Sequence, residues 1–341
     1  ACTCANFPAL NNTINQAMEQ LTRTILLISL LLAFSGTAVS QGDFPEPKTN
    51  RGERVLNFDF PEMLVGTAEY DEGPTGATVF YFPERVKAAV DVRGGSVGTV
   101  NAAALMNSRD SKMMSVVTLS GGSWYGLSAV TGAANAVKEL KATEGNPNYI
   151  AGAVGAIIYD VGGRRMTRVT PDDRLGRAAV KAAKPGWFPL GARGGGRFAM
   201  QGYYFHGSLN AESAANWAHS GQGGAFRQIG PTKIGVFTVV NSLGTVVGRD
   251  GRVVRCSRND PAKPCPLVSE MLKDSAARVT EKAEIQGPTS NTTITLLVTN
   301  QKLPFAVLQR IAKQVHSSMS RAIQPFATEN DGDVLYAVTT E

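Results

Sequence analysis

The sequence has 341 residues, 43% hydrophobic and 18% charged, with a formal net charge of +6. That suits a globular protein of one large domain or two small ones, and no repeat of 20–50 residues is visible. The basic residues are scattered, with small clusters at Arg164–Arg165 and Arg252–Arg258, and no basic helix carries interleaved aromatics, so nucleic acid is excluded as a partner. The 36 glycines are spread over short turns rather than gathered in one block. They predict a compact α/β or α+β protein.

Residues 1–17 read as upstream sequence. After Met18 come Arg23, an apolar run from Ile25 to Phe34, and small residues ending Ala38-Val39-Ser40. This is the order of a secretory signal peptide, with cleavage expected after Ser40. A retained anchor is the alternative, although the run is short for a bilayer span. Cys2 and Cys4 precede the signal, leaving Cys256 and Cys265 in the mature chain. In an exported protein two cysteines bracketing a short loop point to a disulfide, worth roughly 2.5–3 kcal/mol. A metal pair is the weaker reading, because neither a histidine nor a third cysteine accompanies them. The expected compartment is extracellular or periplasmic.

In chain order, residues 41–54 read as a flexible leader. Val55–Val65 and Ala77–Phe82 read as strands around the turn Tyr70–Gly76, and Asp91–Gly98 reads as a Gly-rich turn. A strand is expected over Met114–Leu119. The stretch Gly121-Gly-Ser-Trp-Tyr-Gly126 then leads into a helix ending near Lys141. Ala153–Asp160 is nearly all apolar, the pattern of a strand buried on both faces. Leu175–Ala183 reads as helix, 186–228 as irregular, Lys233–Val240 as a buried strand, and 267–283 as partly helical. Thr293–Val298 reads as a strand. Pro304 opens a helix with Leu308, Ile311, Val315, Met319 and Ala322 at helical spacing, which Pro325 ends. Glu329–Asp333 reads as a turn and Val334–Val338 as the last strand.

Several chemical motifs are absent. The sequence has no G-x-G-x-x-G after a strand, no phosphate-binding P-loop and no H-E-x-x-H. Ser123 is no nucleophile elbow, because Tyr125 stands where that motif needs glycine, so it reads as a turn or N-cap hydroxyl. The histidines are His206, His219 and His316, and His316 reads as a buried or half-buried structural residue. Asn291-Thr292-Thr293 stands where an irregular loop meets a strand. A hydroxyl there can attack the carbonyl before it and release a threonine with a free α-amine, which then serves as base for its own hydroxyl. On these residues alone, a strand start or a glycosylation sequon is the blander reading.

Ten stretches change that balance: Leu56–Pro61, Glu72–Val79, Ala89–Gly95, Gly121–Leu127, Ala156–Asp160, Gly221–Arg227, Asn291–Ile294, Gln314–Met319, Ile323–Phe326 and Asp331–Thr340. In these the chain resembles the 6-aminohexanoate-oligomer (nylon) endohydrolase branch of the L-aminopeptidase/D-esterase family of self-processing hydrolases, over about residues 55–341. The resemblance implies an α+β fold, a four-layer αββα sandwich of the N-terminal-nucleophile-hydrolase kind. It implies an α fragment, 41–291, and a β fragment, 292–341, made by cleavage at Asn291–Thr292. Thr292 matches the nucleophile, Asp331 and Asp333 the two carboxylates beside it, Asn241 the oxyanion-stabilising residue, and Tyr159 an active-site tyrosine.

The implied substrate is a small amide, a peptide or a polyamide oligomer. No metal or organic cofactor is implied, no stable membrane insertion follows signal removal, and a homo-oligomer (dimer or tetramer) is expected. Two departures stand out. Residues 194–222 lack the lysine that the family carries before Gly-Gln-Gly, so Arg197 is a candidate substitute, and Ala327 stands where the family usually has histidine. An aminopeptidase of the same family, an acyltransferase and an inactive secreted binding protein remain open as alternatives.

Overall fold

The computed structural model describes residues 18, 20–22, 44–106, 110–161, 167–206, 218–256, 264–279 and 291–341, with side chains to residue 273 in the helix ending at 279. The signal-peptide reading falls almost wholly outside the described residues. Residues 1–45 form one unit, with residues 18 and 20–22 helical, and Glu46–Glu341 form the other. The architecture that follows is that of the second unit.

Its principal elements are β1 (Leu64–Tyr70), β2 (Thr75–Val92), β3 (Met114–Ser120), α1 (Leu127–Thr143), β4 (Ala153–Ile157) and α2 (Asp173–Lys181). After these come β5 (Gly221–Ile229), β6 (Thr232–Asn241), α3 (Val268–Val279), β7 (Thr292–Thr299), α4 (Phe305–Ser318) and β8 (Val334–Thr339). The long strand β2 serves two ladders. Its first half, Thr75–Tyr81, lies between β1 and β3, and β3 pairs in parallel with β4. Its second half, Lys87–Val92, pairs with β8, which continues through β7 and β6 to β5. The register with β3 shifts between Tyr81 and Val86, where one strand passes from one ladder to the other.

Three buried clusters give the layer order. Phe80, Val117, Leu119 and Val154 of the first ladder share a core with Phe237, Ile294, Leu296, Val334 and Tyr336 of the second. The opposite face of the first ladder, with Ala68, Val79 and Val116, packs on Ala129, Ala133 and Val137 of α1 and Leu175 and Ala179 of α2. The opposite face of the second, with Ala89, Leu297 and Leu335, packs on Phe305, Leu308 and Ala312 of α4. Two sheets therefore lie between outer helices, the αββα sandwich expected. The local chemistry is consistent with it. β7 is threonine, isoleucine, leucine and valine throughout, side chains that fit a pleated, buried surface. Asp172 caps α2 by accepting from Leu175 N at 2.9 Å.

Tyr336 crosses the central layer, donating from its hydroxyl to Gly155 O of the facing sheet at 2.8 Å. Tyr336→Phe is expected to lower stability by about 1–2 kcal/mol, the cost of leaving a buried acceptor short of a donor. A urea unfolding midpoint checks this.

Several expectations need correction. The leader is not wholly free: Lys48–Thr49 pairs antiparallel with Ala68–Glu69 of β1. The second strand runs through Val92, because both halves of β2 find partners. Part of 186–228 is regular, since Gly221–Ile229 pairs with β6 along its whole length. The last long helix ends at Ser318, followed by a short 3₁₀ turn and a two-residue strand, Ile323–Gln324, paired with Thr245–Val246. Cys256 and Cys265 form a disulfide with Cα atoms 5.9 Å apart, beside a small core of Phe205, Val247, Val253 and Met271.

Candidate functional site

The site grows from the start of β7. Alternation puts Ile294, Leu296 and Val298 on the face between the sheets, and Thr292 shares their parity. Across the ladder Thr292 is paired with Asn241, the last residue of β6. On its other side β8 runs parallel to β7 from the pair Ile294–Val334, and an isolated parallel bridge between Asn291 and Asp331 extends the alignment. Thr292, Asn241, Asp331 and Asp333 are thus brought together by three neighbouring strand ends. All four, and Asn291, are fully buried.

The hydroxyl Oγ1 of Thr292 donates to Asn291 O, the carbonyl oxygen of the residue before it. The same oxygen accepts from Gly332 N at 2.7 Å. The oxygen that would become negative if the hydroxyl attacked that carbonyl therefore already faces a backbone donor. Asp333 accepts from Thr293 N at 2.6 Å and Ala327 N at 3.1 Å. Asp331 accepts from Leu243 N at 3.3 Å and Thr328 Oγ1 at 3.4 Å. Asn241 accepts from Met200 N and donates from Nδ2 to Tyr159 O, both at 3.0 Å. Tyr159 is half-buried, and its main-chain carbonyl is the group that reaches Asn241.

Burial pushes the Asp333 carboxyl up to about 6, and the two backbone N–H donors only partly oppose it. Its folded value exceeds the unfolded one, so its contribution to stability is fully present below pH ~4 and is lost as pH rises through about 6. In a Thr292→Ala background, which removes the hydroxyl, the chain with Asp333 is expected to lose about 2 kcal/mol relative to its Asp333→Asn counterpart between pH 4 and 7. Parallel denaturant titrations of the two chains measure that difference.

Sequence reasoning missed the residues that make room for this arrangement. A Cβ on Gly332 would stand 2.6 Å from both Thr292 Oγ1 and Ser96 O. A Cβ on Gly94 would stand 2.0 Å from Asp331 O and 2.5 Å from Asp333 N. The loop 93–98 packs directly on the turn 331–333, and Ser96 N donates to Asp331 O at 2.9 Å. The available signal was the glycine between the two aspartates, which suited a turn equally well.

Ser123 stands on a 3₁₀ turn, but its hydroxyl reaches across the fold rather than capping that turn. Its Oγ accepts from Asp160 N at 3.2 Å and Val161 N at 3.0 Å, while the buried Asp160 accepts from Gly122 N at 2.7 Å. This reciprocal clamp holds the segment that presents Tyr159 O to Asn241. His316 is fully buried, with Nδ1 3.0 Å from Asp91 Oδ2. Burial holds its pKa below the usual value, against the opposing pull of Asp91. Arg197 faces the buried Glu69 at 3.5 Å and Asp71 at 3.4 Å. Arg193 joins it on Glu69, so this cation belongs to an ion cluster around the Gly194–Gly196 turn.

Comparison with known proteins places the chain in a family and a fold. The profile of Peptidase family S58 matches residues 58–341. A 6-aminohexanoate-oligomer endohydrolase of Paenarthrobacter ureafaciens is 38% identical over 302 residues, 86% of this chain and 78% of that protein. An uncharacterized aminopeptidase of Mycobacterium tuberculosis is 30% identical over 280 residues, 78% of this chain and 73% of that protein. Among solved structures, the L-aminopeptidase D-Ala-esterase/amidase of Ochrobactrum anthropi, described as a variant of the N-terminal-nucleophile hydrolase fold, aligns with a TM-score of 0.53 at 17% identity. That alignment covers 82% of this chain and 72% of the other. A Burkholderia beta-aminopeptidase aligns with a TM-score of 0.51 at 16% identity, covering 87% and 71%. At these identities the two structures speak for the fold.

Proposed function

The chain belongs to Peptidase family S58 and is by that membership an amide hydrolase; we propose that it activates itself by cutting Asn291–Thr292 and then works through Thr292. One observation carries this reading: the Thr292 hydroxyl rests on the Asn291 carbonyl oxygen while Gly332 N–H donates to the same atom. In the cut, Oγ1 bonds to the Asn291 carbonyl carbon as the C–N bond breaks. The hydroxyl proton passes to the departing amine, and water then hydrolyses the ester. The products are an Asn291 carboxylate and a Thr292 with a free amine and a restored hydroxyl.

In turnover that α-amine, with an ordinary pKa of about 7.7–8.0, takes the Oγ1 proton as the hydroxyl attacks a substrate amide. Asn241 Nδ2 would steady the developing oxyanion, a role worth roughly 2.7–4 kcal/mol in a comparable site. Asp331 and Asp333 would hold the new ammonium and the proton network around it. The leaving amine takes a proton, and water frees the acyl group from Thr292.

The proposed substrates are linear amides of ω-amino acids such as 6-aminohexanoate oligomers. The 38% identity to the endohydrolase, against 30% to the mycobacterial aminopeptidase, favours that class over removal of single N-terminal residues. Because nylon is synthetic, the physiological substrate would be a natural amide of similar chain chemistry. Export after signal removal forms part of the proposal and is supported by the Cys256–Cys265 disulfide. So does assembly into a homo-oligomer, which the exposed Ile229 on strand β5 would suit. The test is intact mass and N-terminal sequencing of purified protein, followed by incubation with 6-aminohexanoate oligomers. Two fragments, one beginning at Thr292, together with shortened oligomers are expected. A stable single chain without turnover would refute the reading.

A further inference from the structure

Trp124 and Tyr125 are 71% and 68% exposed, an expensive placement for two adjacent aromatic rings. They stand on a 3₁₀ turn, Ser123–Gly126, directly after β3. Two connections tie that turn to the candidate site. The first runs through the clamp, in which Ser123 Oγ accepts from Asp160 N and Val161 N. The residue before Asp160 is Tyr159, whose carbonyl accepts from Asn241. The second runs through the loop 93–98. Trp124 Cδ1 lies 3.2 Å from where a Cβ on Gly98 would stand, so the indole rests against the Gly98 backbone. Two residues earlier, Ser96 N donates to Asp331 O, and two residues of chain reach at most about 7 Å. Ser96 and Tyr159 are half-buried, whereas Thr292, Asn241 and Asp331 are fully buried. Solvent meets the site's surroundings at these two segments, as it also does at Ala327 and Thr328, and the turn that carries Trp124 is tied to the first two, through Trp124 on Gly98 and Ser123 on Asp160 and Val161.

We infer that Trp124 and Tyr125 form an apolar lip beside the nucleophile, a subsite for the polymethylene stretch of a linear amide substrate. The inference rests on the functional reading above and deepens it to the part of the substrate away from the scissile bond. An indole and a phenol ring offer flat apolar faces with few rotamers to immobilise. They suit a flexible chain of methylenes, which brings no hydrogen-bonding group of its own to the contact. The lip would act on binding more than on chemistry, because it touches neither the hydroxyl nor the oxyanion donors. It would discriminate by chain length, since each methylene laid on the rings adds apolar contact.

The experiment compares processed wild type with Trp124→Ala on two linear trimers, of 6-aminohexanoate and of 3-aminopropanoate. These carry the same amide chemistry on five and two methylenes. The exposed position makes the substitution mild for folding, and release of the 292–341 fragment serves as the folding control. The expected result is a KM for the longer trimer raised about tenfold, the effect of roughly two methylenes, with kcat within twofold. KM for the shorter trimer is expected to change less than threefold. An equal change for both trimers, or none, overturns the lip. A Trp124→Ala protein of lower native mass with unaltered KM values assigns the rings to contact with a second copy, which also overturns it. Where wild type is processed yet hydrolyses neither trimer, the functional reading fails separately. Calorimetric binding of the 6-aminohexanoate trimer then decides the lip, and equal affinity in wild type and variant overturns it.

Discussion

A Thr292→Ala chain is expected to remain one uncut polypeptide and to hydrolyse no 6-aminohexanoate oligomer. Both losses come from one atom. Oγ1 is the group resting on the Asn291 carbonyl and, after the cut, the group assigned to attack substrate. Nothing else at the start of β7 can replace it: the next residue, Thr293, has the opposite strand parity, and its backbone N–H is held by Asp333. Removing a nucleophile in a hydrolase costs on the order of 10⁶ in rate, so both reactions should fall below detection. The fold should survive, because alanine at this position gives up one hydrogen bond and a methyl group. Thr292→Ser keeps the hydroxyl and is expected to be cut, which separates the chemistry from the packing of the side chain. Denaturing gels of purified protein read the first reaction, and oligomer consumption reads the second. A cut Thr292→Ala chain would remove Thr292 from the mechanism.

Gly332→Ala is expected to slow self-cleavage by about 10²–10³, the loss typical of one oxyanion donor. A Cβ there would stand 2.6 Å from both Thr292 Oγ1 and Ser96 O, and 3.3 Å from Asn291 O. Two of these contacts are too close to persist, so the turn must withdraw and carry Gly332 N away from Asn291 O. The control is Gly223→Ala on β5, where an added Cβ meets nothing within 4 Å, and cleavage should proceed at the wild-type rate. Because Gly332→Ala could also disturb folding, its stability is compared in the uncut Thr292→Ala background. Slow cleavage with a nearly unchanged unfolding midpoint is the expected pattern. Cleavage at the wild-type rate would show that Gly332 N plays no part.

Much of the fold was legible because its signals are local. The apolar runs at Met114–Leu119, Ala153–Asp160 and Thr293–Val298 cannot be solvated, and the periodic apolar positions after Pro304 can close only one face of a helix. What escaped was whatever depended on a partner. The sequence Gly221-Gln-Gly-Gly reads as irregular because glycine weakens a strand, yet β6 supplies nine consecutive pairings for Gly221–Ile229. The middle of β2 carries Pro83, Glu84 and Arg85, which read as the end of a strand until β8 pairs beyond them. Lys48–Thr49 is polar throughout and becomes a strand only because β1 has an open edge there.

The candidate site divides in the same way. By itself the sequence determined that a hydroxyl follows an irregular loop at the start of a strong strand. It also placed two carboxylates two residues apart before the last strand, and two cysteines close enough to join. These are matters of residue type and spacing, and they survive into the structure unchanged. Only the tertiary structure decided that Asn241 stands across the ladder from Thr292, that Gly332 N meets the Asn291 carbonyl, and that Asp333 is buried deeply enough to hold its proton toward neutrality. It likewise decided that Trp124 shares loop 93–98 with the aspartate turn. The physical reason is that hydrogen-bond register, close backbone approach and desolvation are properties of pairs of segments. Asn241 and Thr292 lie far apart in a chain whose pattern records only the burial of each, and the pairing of strands makes them neighbours.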